Sequence, residues 1–166
     1  GGTELFPGGG NYLSFAAAET SKAAVARQYA DVSAGFDAAM PHTVSFKLRI
    51  DEDVQNGGSY DSYQDRYFVC DSPGAVTGTT YDNSWSLFSF ATDKGPLPAK
   101  NWGVFDGTCD NSGLTDARIV DTGIPLVGGT VYDVEMTVDP SRRLYSAAIS
   151  DGVNSFYQEN LRFRTA

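Results

Sequence analysis

The stretch that decides the fold is Val131-Tyr-Asp-Val-Glu-Met-Thr-Val-Asp139. Large apolar side chains occupy every second position from Tyr132 to Val138, and polar side chains fill the positions between them. Successive side chains of a strand point to opposite faces, so this period of two predicts a strand with one buried face and one wet face. Residues 43–51, Thr43-Val-Ser-Phe-Lys-Leu-Arg-Ile-Asp51, alternate in the same way and predict a second long strand.

Shorter runs of strand-forming residues extend the pattern, and turn pairs such as Asp106-Gly107 and Asp151-Gly152 separate them. The runs are residues 12–15, 24–29, 65–71, 84–91, 101–106, 117–121, 144–150, 155–158 and 161–164. Residues 16–40 are rich in alanine, so a helix is an alternative there, although Gly35 interrupts it. The spacing predicts an all-β chain, a two-sheet antiparallel β-sandwich that forms a single domain over residues 1–166.

Composition limits the classes of function. Hydrophobic side chains make up 41% of the 166 residues, which suffices for one globular core. A net charge of -9 leaves no basic field for phosphates, which argues against nucleic acid as a partner and against anionic membranes. No apolar run approaches the roughly 20 residues that a membrane helix needs, so we expect no membrane insertion. Gly1 to Glu4 lack a signal-peptide pattern, so we expect a mature or excised domain.

Six blocks of sequence carry a resemblance to a known superfamily. They are Asn11-Tyr-Leu-Ser-Phe15, residues 42–51, Trp102-Gly-Val-Phe-Asp-Gly107, Asp121-Thr-Gly-Ile-Pro-Leu126, Gly129-Thr-Val-Tyr132 and Leu161-Arg-Phe-Arg164. Their order resembles the jelly rolls of the concanavalin A-like lectin/glucanase superfamily, near the laminin-G-like bacterial domains. The resemblance implies a curved sandwich that binds glycans on its concave face or loop rim. It also implies an extracellular or cell-surface location, on a secreted chain that is tethered to other domains.

Aromatic side chains in or beside polar loops are candidates for sugar contact, because sugar rings stack on them while sugar hydroxyls need polar partners. The candidates are Tyr60, Tyr63, Tyr81, Trp85 and Trp102. Asp106 follows Trp102 in the same block and is a candidate acceptor for sugar hydroxyls. For both tryptophans the alternative is a place in the hydrophobic core.

Four cationic residues alternate on predicted wet strand faces: Lys47, Arg49, Arg162 and Arg164. If their strands are neighbours, these side chains form a patch suited to carboxylated or sulfated glycans. The alternative is ordinary cross-strand pairing with Asp and Glu.

Acidic residues after the predicted strand 101–106 suggest a calcium site. Asp106, Asp110, Asn111 and Asp116 share one loop, and hard oxygen ligands suit Ca2+. If the strands between residues 65 and 106 form a meander, two reversals bring Asp71 to the same end of the sheet. The alternative is an acidic loop that is simply solvated.

The same strand count brings Cys70 and Cys109 to one end of the sheet, so a disulfide between them is plausible. A disulfide would indicate an oxidising compartment outside the cytoplasm. The alternative is a pair of separate thiols.

Catalytic motifs are weak in this sequence. His42 is the only histidine, and no Gly-x-Ser-x-Gly elbow accompanies it, which argues against a Ser-His-Asp hydrolase. Asp133 and Glu135 share one strand face at a spacing that glycoside hydrolysis can use. The resemblance implies a glucanase pattern of three carboxylates, Glu-x-Asp-x-x-Glu or Glu-x-Asp-x-Glu, but residues 131, 133, 135 and 137 are Val, Asp, Glu and Thr, so the third carboxylate is missing. The alternative for both carboxylates is ordinary exposure to solvent.

These observations together predict a noncatalytic, lectin-like carbohydrate-binding module of a secreted polysaccharide-acting or cell-surface bacterial protein, with a polysaccharide or oligosaccharide as its partner. One alternative is a structural or protein-interaction adhesion module. The other is a glycoside hydrolase or polysaccharide lyase that uses Asp133 and Glu135.

Overall fold

The computed structural model describes residues 37, 39–51, 66–71, 84–90, 101–107 and 119–163, with the backbone alone for residues 66–68 and 90. The chain divides into two units, residues 1–36 and 37–166, and every described residue lies in the second. The strands predicted at residues 12–15 and 24–29, and the alternative helix up to residue 36, lie outside the described residues. A single domain over residues 1–166 stays a prediction.

Strands in two antiparallel sheets make up the regular structure of the described residues. In chain order they are β1 (His42–Arg49), β2 (Arg66–Cys70), β3 (Ser86–Phe90), β4 (Asn101–Phe105), β5 (Ile119–Pro125), β6 (Val131–Asp139), β7 (Leu144–Ser150) and β8 (Ser155–Arg162). Sheet I has the order β1-β6-β7-β8, and sheet II has the order β2-β3-β4-β5. The predicted all-β, two-sheet sandwich is therefore confirmed. Within these ranges no helix is long and apolar enough to cross a membrane.

β6 lies between β1 and β7 in sheet I, and its alternation gives it one continuous buried face. Tyr132, Val134, Met136 and Val138 are all buried, and the polar residues between them are exposed. β1 pairs with β6 without a register shift, so that the apolar sides of both strands face sheet II. The bounds of β6 and β7 match the predicted ones.

The largest differences from the predicted strand limits concern β8 and β5. Residues 155–158 and 161–164 were predicted as separate strands, but β8 runs continuously from Ser155 to Arg162. Asn160 has a φ of 58°, a left-handed conformation that Asn tolerates better than most residues, and the register against β7 shifts nearby. β5 extends past its predicted end at residue 121, because a shift in its pairing with β4 accommodates Gly123 with a φ of 69°.

The core lies between the sheets and is built on aromatic contacts across them. Trp102 of β4 meets Tyr132 of β6 edge-on, with ring centroids 5.5 Å apart, and Trp85 stacks on Phe46 of β1 at 6.0 Å. The hydroxyl of Tyr132 accepts from Val127 N at 2.7 Å and donates to the carbonyl of Pro125, the last residue of β5, also at 2.7 Å. Burying these rings is the main contribution to holding sheet I against sheet II.

Candidate functional site

The outer face of sheet I, which points away from the core, is the candidate site. It carries polar and small side chains from all four strands, namely Ser45, Lys47, Asp133, Glu135, Ser146, Ala148, Ser150, Tyr157 and Glu159. We use the term outer face for this set. The face results from the same alternation that buries the apolar residues, because each inward side chain leaves its neighbours pointing out.

One row of residues crosses the outer face from edge to edge. Ser45 lies opposite Glu135, Glu135 lies opposite Ala148, and Ala148 lies opposite Tyr157. Ala148 is the small member of the row, and Ser146 and Ser150 flank it along β7. The small side chains of β7 form a strip, here called the low strip, between Glu135 of β6 and Tyr157 of β8, whose hydroxyl reaches towards Ser146.

Tyr157 is the exposed aromatic residue of the outer face, with 62% of its surface accessible. Its hydroxyl donates a hydrogen bond to Glu159 Oε1 at 2.7 Å, which fixes the direction of the ring. That hydrogen bond, followed by desolvation, raises the pKa of Tyr157 above its ordinary value; the negative charges of Glu159 and Glu135 add to the effect, and a contact with the Ser146 hydroxyl opposes it. An exposed ring held beside hydrogen-bond acceptors can stack on the apolar face of a sugar.

Sequence reasoning missed Tyr157. Its position two residues after Ser155, with Phe156 half-buried between them, follows the period of two and places it on the outer face. That period was the available signal, but a predicted strand of four residues, 155–158, is too short to show by its alternation alone which face is buried.

Trp85 and Trp102 do not serve as sugar platforms in this structure. Trp102 is 0% exposed and Trp85 is 4% exposed, and both belong to the core cluster. Each indole is covered by a ring of sheet I, so neither presents a free face to a ligand. Both tryptophans therefore lie in the hydrophobic core, which was the alternative stated for them. Tyr60, Tyr63 and Tyr81 lie outside the described residues.

Asp106 holds the two sheets together, and this contact occupies the carboxylate that was predicted to bind sugar or calcium. Arg162 donates to it from Nε at 2.9 Å, from Nη2 at 3.1 Å and from its backbone N–H at 3.0 Å. The contact raises the pKa of Arg162. A ligand at Asp106 would have to compete with this fork of charge-assisted hydrogen bonds.

Asp71 reaches the end of sheet II that the strand count predicted. It directly follows β2, and its Oδ1 accepts hydrogen bonds from the amides of Ser84 at 2.8 Å and Trp85 at 3.1 Å. Burial raises the pKa of Asp71, against the opposing effect of these amides. The hydroxyl of Tyr145 donates to the carbonyl of Phe105 close by, and burial first, then the charges of Asp106 and Asp71, raise its pKa.

The calcium site stays a prediction. Asp110, Asn111 and Asp116 lie outside the described residues, as does Cys109 of the predicted disulfide. Cys70 ends β2 opposite Ser86, at the same end as Asp71. Among residues that the structure does describe, no three acidic, histidine or cysteine side chains form a group that could hold a metal ion.

The predicted cationic patch is wrong for the described residues. β1 and β8 are separated by β6 and β7, so Lys47 and Arg49 do not adjoin Arg162. Lys47 pairs with Asp133, and Arg49 pairs with Asp51. The stated alternative, cross-strand pairing with a carboxylate, therefore describes Lys47, whereas the partner of Arg49 lies two residues further along the same chain segment. Arg164 lies outside the described residues.

Asp133 and Glu135 lie on the outer face, as their spacing predicted. Asp133 is bound to Lys47, and its side chain is 61% exposed. Glu135 accepts a hydrogen bond from Ser45 Oγ at 3.2 Å. Both carboxylates therefore lie on an open, solvated sheet face, and each already has a side-chain partner on β1.

Comparison with known proteins identifies no relative. No family model matches the chain, and neither curated proteins nor solved structures give a significant match.

Proposed function

We propose that this protein is a noncatalytic carbohydrate-binding module that binds glycans on the outer face of sheet I. The observation that carries the proposal is Tyr157, an exposed ring held in place by Glu159 beside the low strip along β7. A sugar ring lying on this strip would stack against Tyr157. Its hydroxyls would donate to Glu135 and to the serines of β7, which supply the directional contacts that sugars need.

The charges of the outer face favour an uncharged glycan. Lys47 is bound to Asp133, while Glu135 and Glu159 add negative charge beside the strip. A carboxylated or sulfated chain would meet like charge there, and the net charge of -9 adds long-range repulsion. The proposal is therefore a neutral polysaccharide or oligosaccharide.

The open geometry also favours binding over hydrolysis. A general acid for glycoside cleavage needs a carboxyl group that stays protonated near neutral pH, which burial normally provides. Asp133 and Glu135 lie on an exposed face beside Lys47 and Ser45, and the described residues place no enclosing wall around them. An extracellular location and attachment to further domains belong to the same proposal, and the superfamily resemblance supports them.

The test is binding of neutral and acidic polysaccharides by the unmodified protein and by Tyr157→Ala. We expect retention on at least one neutral polysaccharide, with affinity falling about tenfold or more in the variant and little change in Tm. Val153→Ala is the matched control, because Val153 is 90% exposed on the same β7–β8 hairpin but sits at its tip.

Three results would contradict the proposal. Equal binding by Tyr157→Ala would remove the outer face as the site. Preference for acidic chains would remove the neutral-glycan assignment. Release of new reducing ends from any substrate would show an enzyme instead of a binding module.

A further inference from the structure

Four polar atoms of sheet II and the residue before β3 are buried without a hydrogen-bond partner among the described residues. They are Trp85 Nε1, Ser86 Oγ, Ser89 Oγ and Trp102 Nε1. Buried polar groups are nearly always bonded to protein or to ordered water, because an unsatisfied group has lost its solvation without compensation. An ordered water molecule is one partner that can satisfy a buried atom of this kind.

Two of the four lie side by side. Ser89 and Trp102 are directly opposite each other in the β3–β4 ladder, so their side chains share one face. That face is the core side of sheet II, since Leu87 and Val104, two positions along, belong to the core cluster. Ser89 is 1% exposed and Trp102 is 0% exposed, so bulk water does not satisfy either group.

The sheet is irregular at this pair. Ser89 and Trp102 form the last pair of their ladder. On the other side of Trp102 the β4–β5 register shifts, and three residues of β5 lie opposite this one residue. The carbonyl of Trp102 accepts a hydrogen bond from the hydroxyl of Thr122 at 2.7 Å. An irregularity of this kind disturbs the regular pairing of the ladder and bends the strand that carries the extra residues.

We propose that one ordered water molecule lies between the sheets and bridges Trp102 Nε1 and Ser89 Oγ. An indole N–H can only donate, so the water accepts from Trp102, and it donates to a lone pair of the Ser89 hydroxyl. Internal waters of this type bind polar groups that the protein leaves unpaired and persist as part of the structure. This inference is independent of the proposed glycan binding.

The direction of the Tm change in Ser89→Ala tests the proposed water bridge. A bridging water loses a partner in this variant, and the Tm should fall by about 2–4 °C. A dry hydroxyl would give the opposite result, because its removal relieves a desolvation penalty, and an unchanged or higher Tm would overturn the proposal. Ser155→Ala, at an exposed serine of β8, is the matched control and should leave the Tm unchanged.

A direct hydrogen bond between the two side chains would also lower the Tm in Ser89→Ala, so a second measurement decides. A high-resolution crystal structure of the unmodified protein should show a water oxygen within about 3.2 Å of both atoms. A direct Nε1–Oγ contact, or a core without water at this position, would overturn the proposal whatever the Tm shows.

Discussion

Asp106 and Arg162 join the two sheets at one end of the sandwich. Asp106 follows β4 of sheet II, Arg162 ends β8 of sheet I, and the guanidinium donates to both carboxylate oxygens. Gly107 N also donates to the carbonyl of Arg162 at 3.0 Å, so backbone and side chains connect the same two strand ends. Gly107 has a φ of 93°, and a Cβ there would lie 3.3 Å from Arg162 Cζ, so this close approach requires glycine.

Asp106→Asn should lower the Tm by about 1–4 °C, because it keeps the shape of the side chain and removes one charged acceptor from a pair in which Arg162 is exposed and Asp106 is partly buried. Arg162→Met should have a similar effect. Since both changes break the same contact, the double variant should be little less stable than either single variant. Thermal unfolding of the three variants checks this, and fully additive effects would show that the two residues act separately.

Trp102→Ala should destabilise the fold by about 3–5 kcal/mol, because it removes a fully buried ring and leaves a cavity against Tyr132. Urea denaturation measures the loss, with Val153→Ala as a control that should be close to neutral. At temperatures where the variant stays folded, its affinity for glycans should be unchanged. A stable variant with weakened glycan binding would restore Trp102 as a ligand contact.

Asp71 should make the stability depend on pH in an unusual direction. Its folded pKa is raised above the ordinary value of 3.8, so the folded state holds this proton more tightly than the unfolded state. The resulting stability is complete below pH 3.8 and is lost as the pH rises through the folded pKa. Asp71→Asn removes this titration and keeps an acceptor for Ser84 N and Trp85 N. The free energy of unfolding of the wild type, relative to that of Asp71→Asn, should therefore be lower at pH 7 than at pH 3.

Asp151→Asn is the matched control for that experiment, because the sign is reversed. Hydrogen bonds from the amide and side chain of Asn154 and the amide of Val153 lower the pKa of Asp151. Its stabilising effect is present above pH 3.8 and is lost as the pH falls through the folded pKa. Urea denaturation between pH 3 and pH 7 gives the difference in free energy of unfolding between the wild type and each variant. Plotted against pH, this difference should fall for Asp71→Asn and rise for Asp151→Asn. Equal slopes would show that burial does not control Asp71.

The predicted disulfide can be tested by mass. If Cys70 and Cys109 are joined, alkylation of the unfolded protein without reductant should modify neither residue, and prior reduction should expose both. Two modified cysteines before reduction would remove the disulfide and, with it, this argument for an oxidising compartment.

Local pattern predicted the strands well where alternation is unbroken. β6 and β7 have the predicted limits because each inward residue is apolar, whereas β8 continues through Asn160 because tertiary pairing overrides a residue that interrupts the pattern. The site was harder to predict. Burial of Trp102 depends on Tyr132 of the other sheet, and the fate of Lys47 depends on strand order, neither of which is encoded near those residues.

The left-handed conformation of Asn160 also bears on whether copies of this protein pair edge to edge at high concentration. β8 is one of the two edge strands of sheet I among the described residues, β1 being the other, and an edge strand offers its backbone to any second chain that can pair with it. The left-handed Asn160 and the charged Glu159 interrupt that backbone row. A second copy can therefore match only part of its length, which opposes growth of a continuous sheet from molecule to molecule.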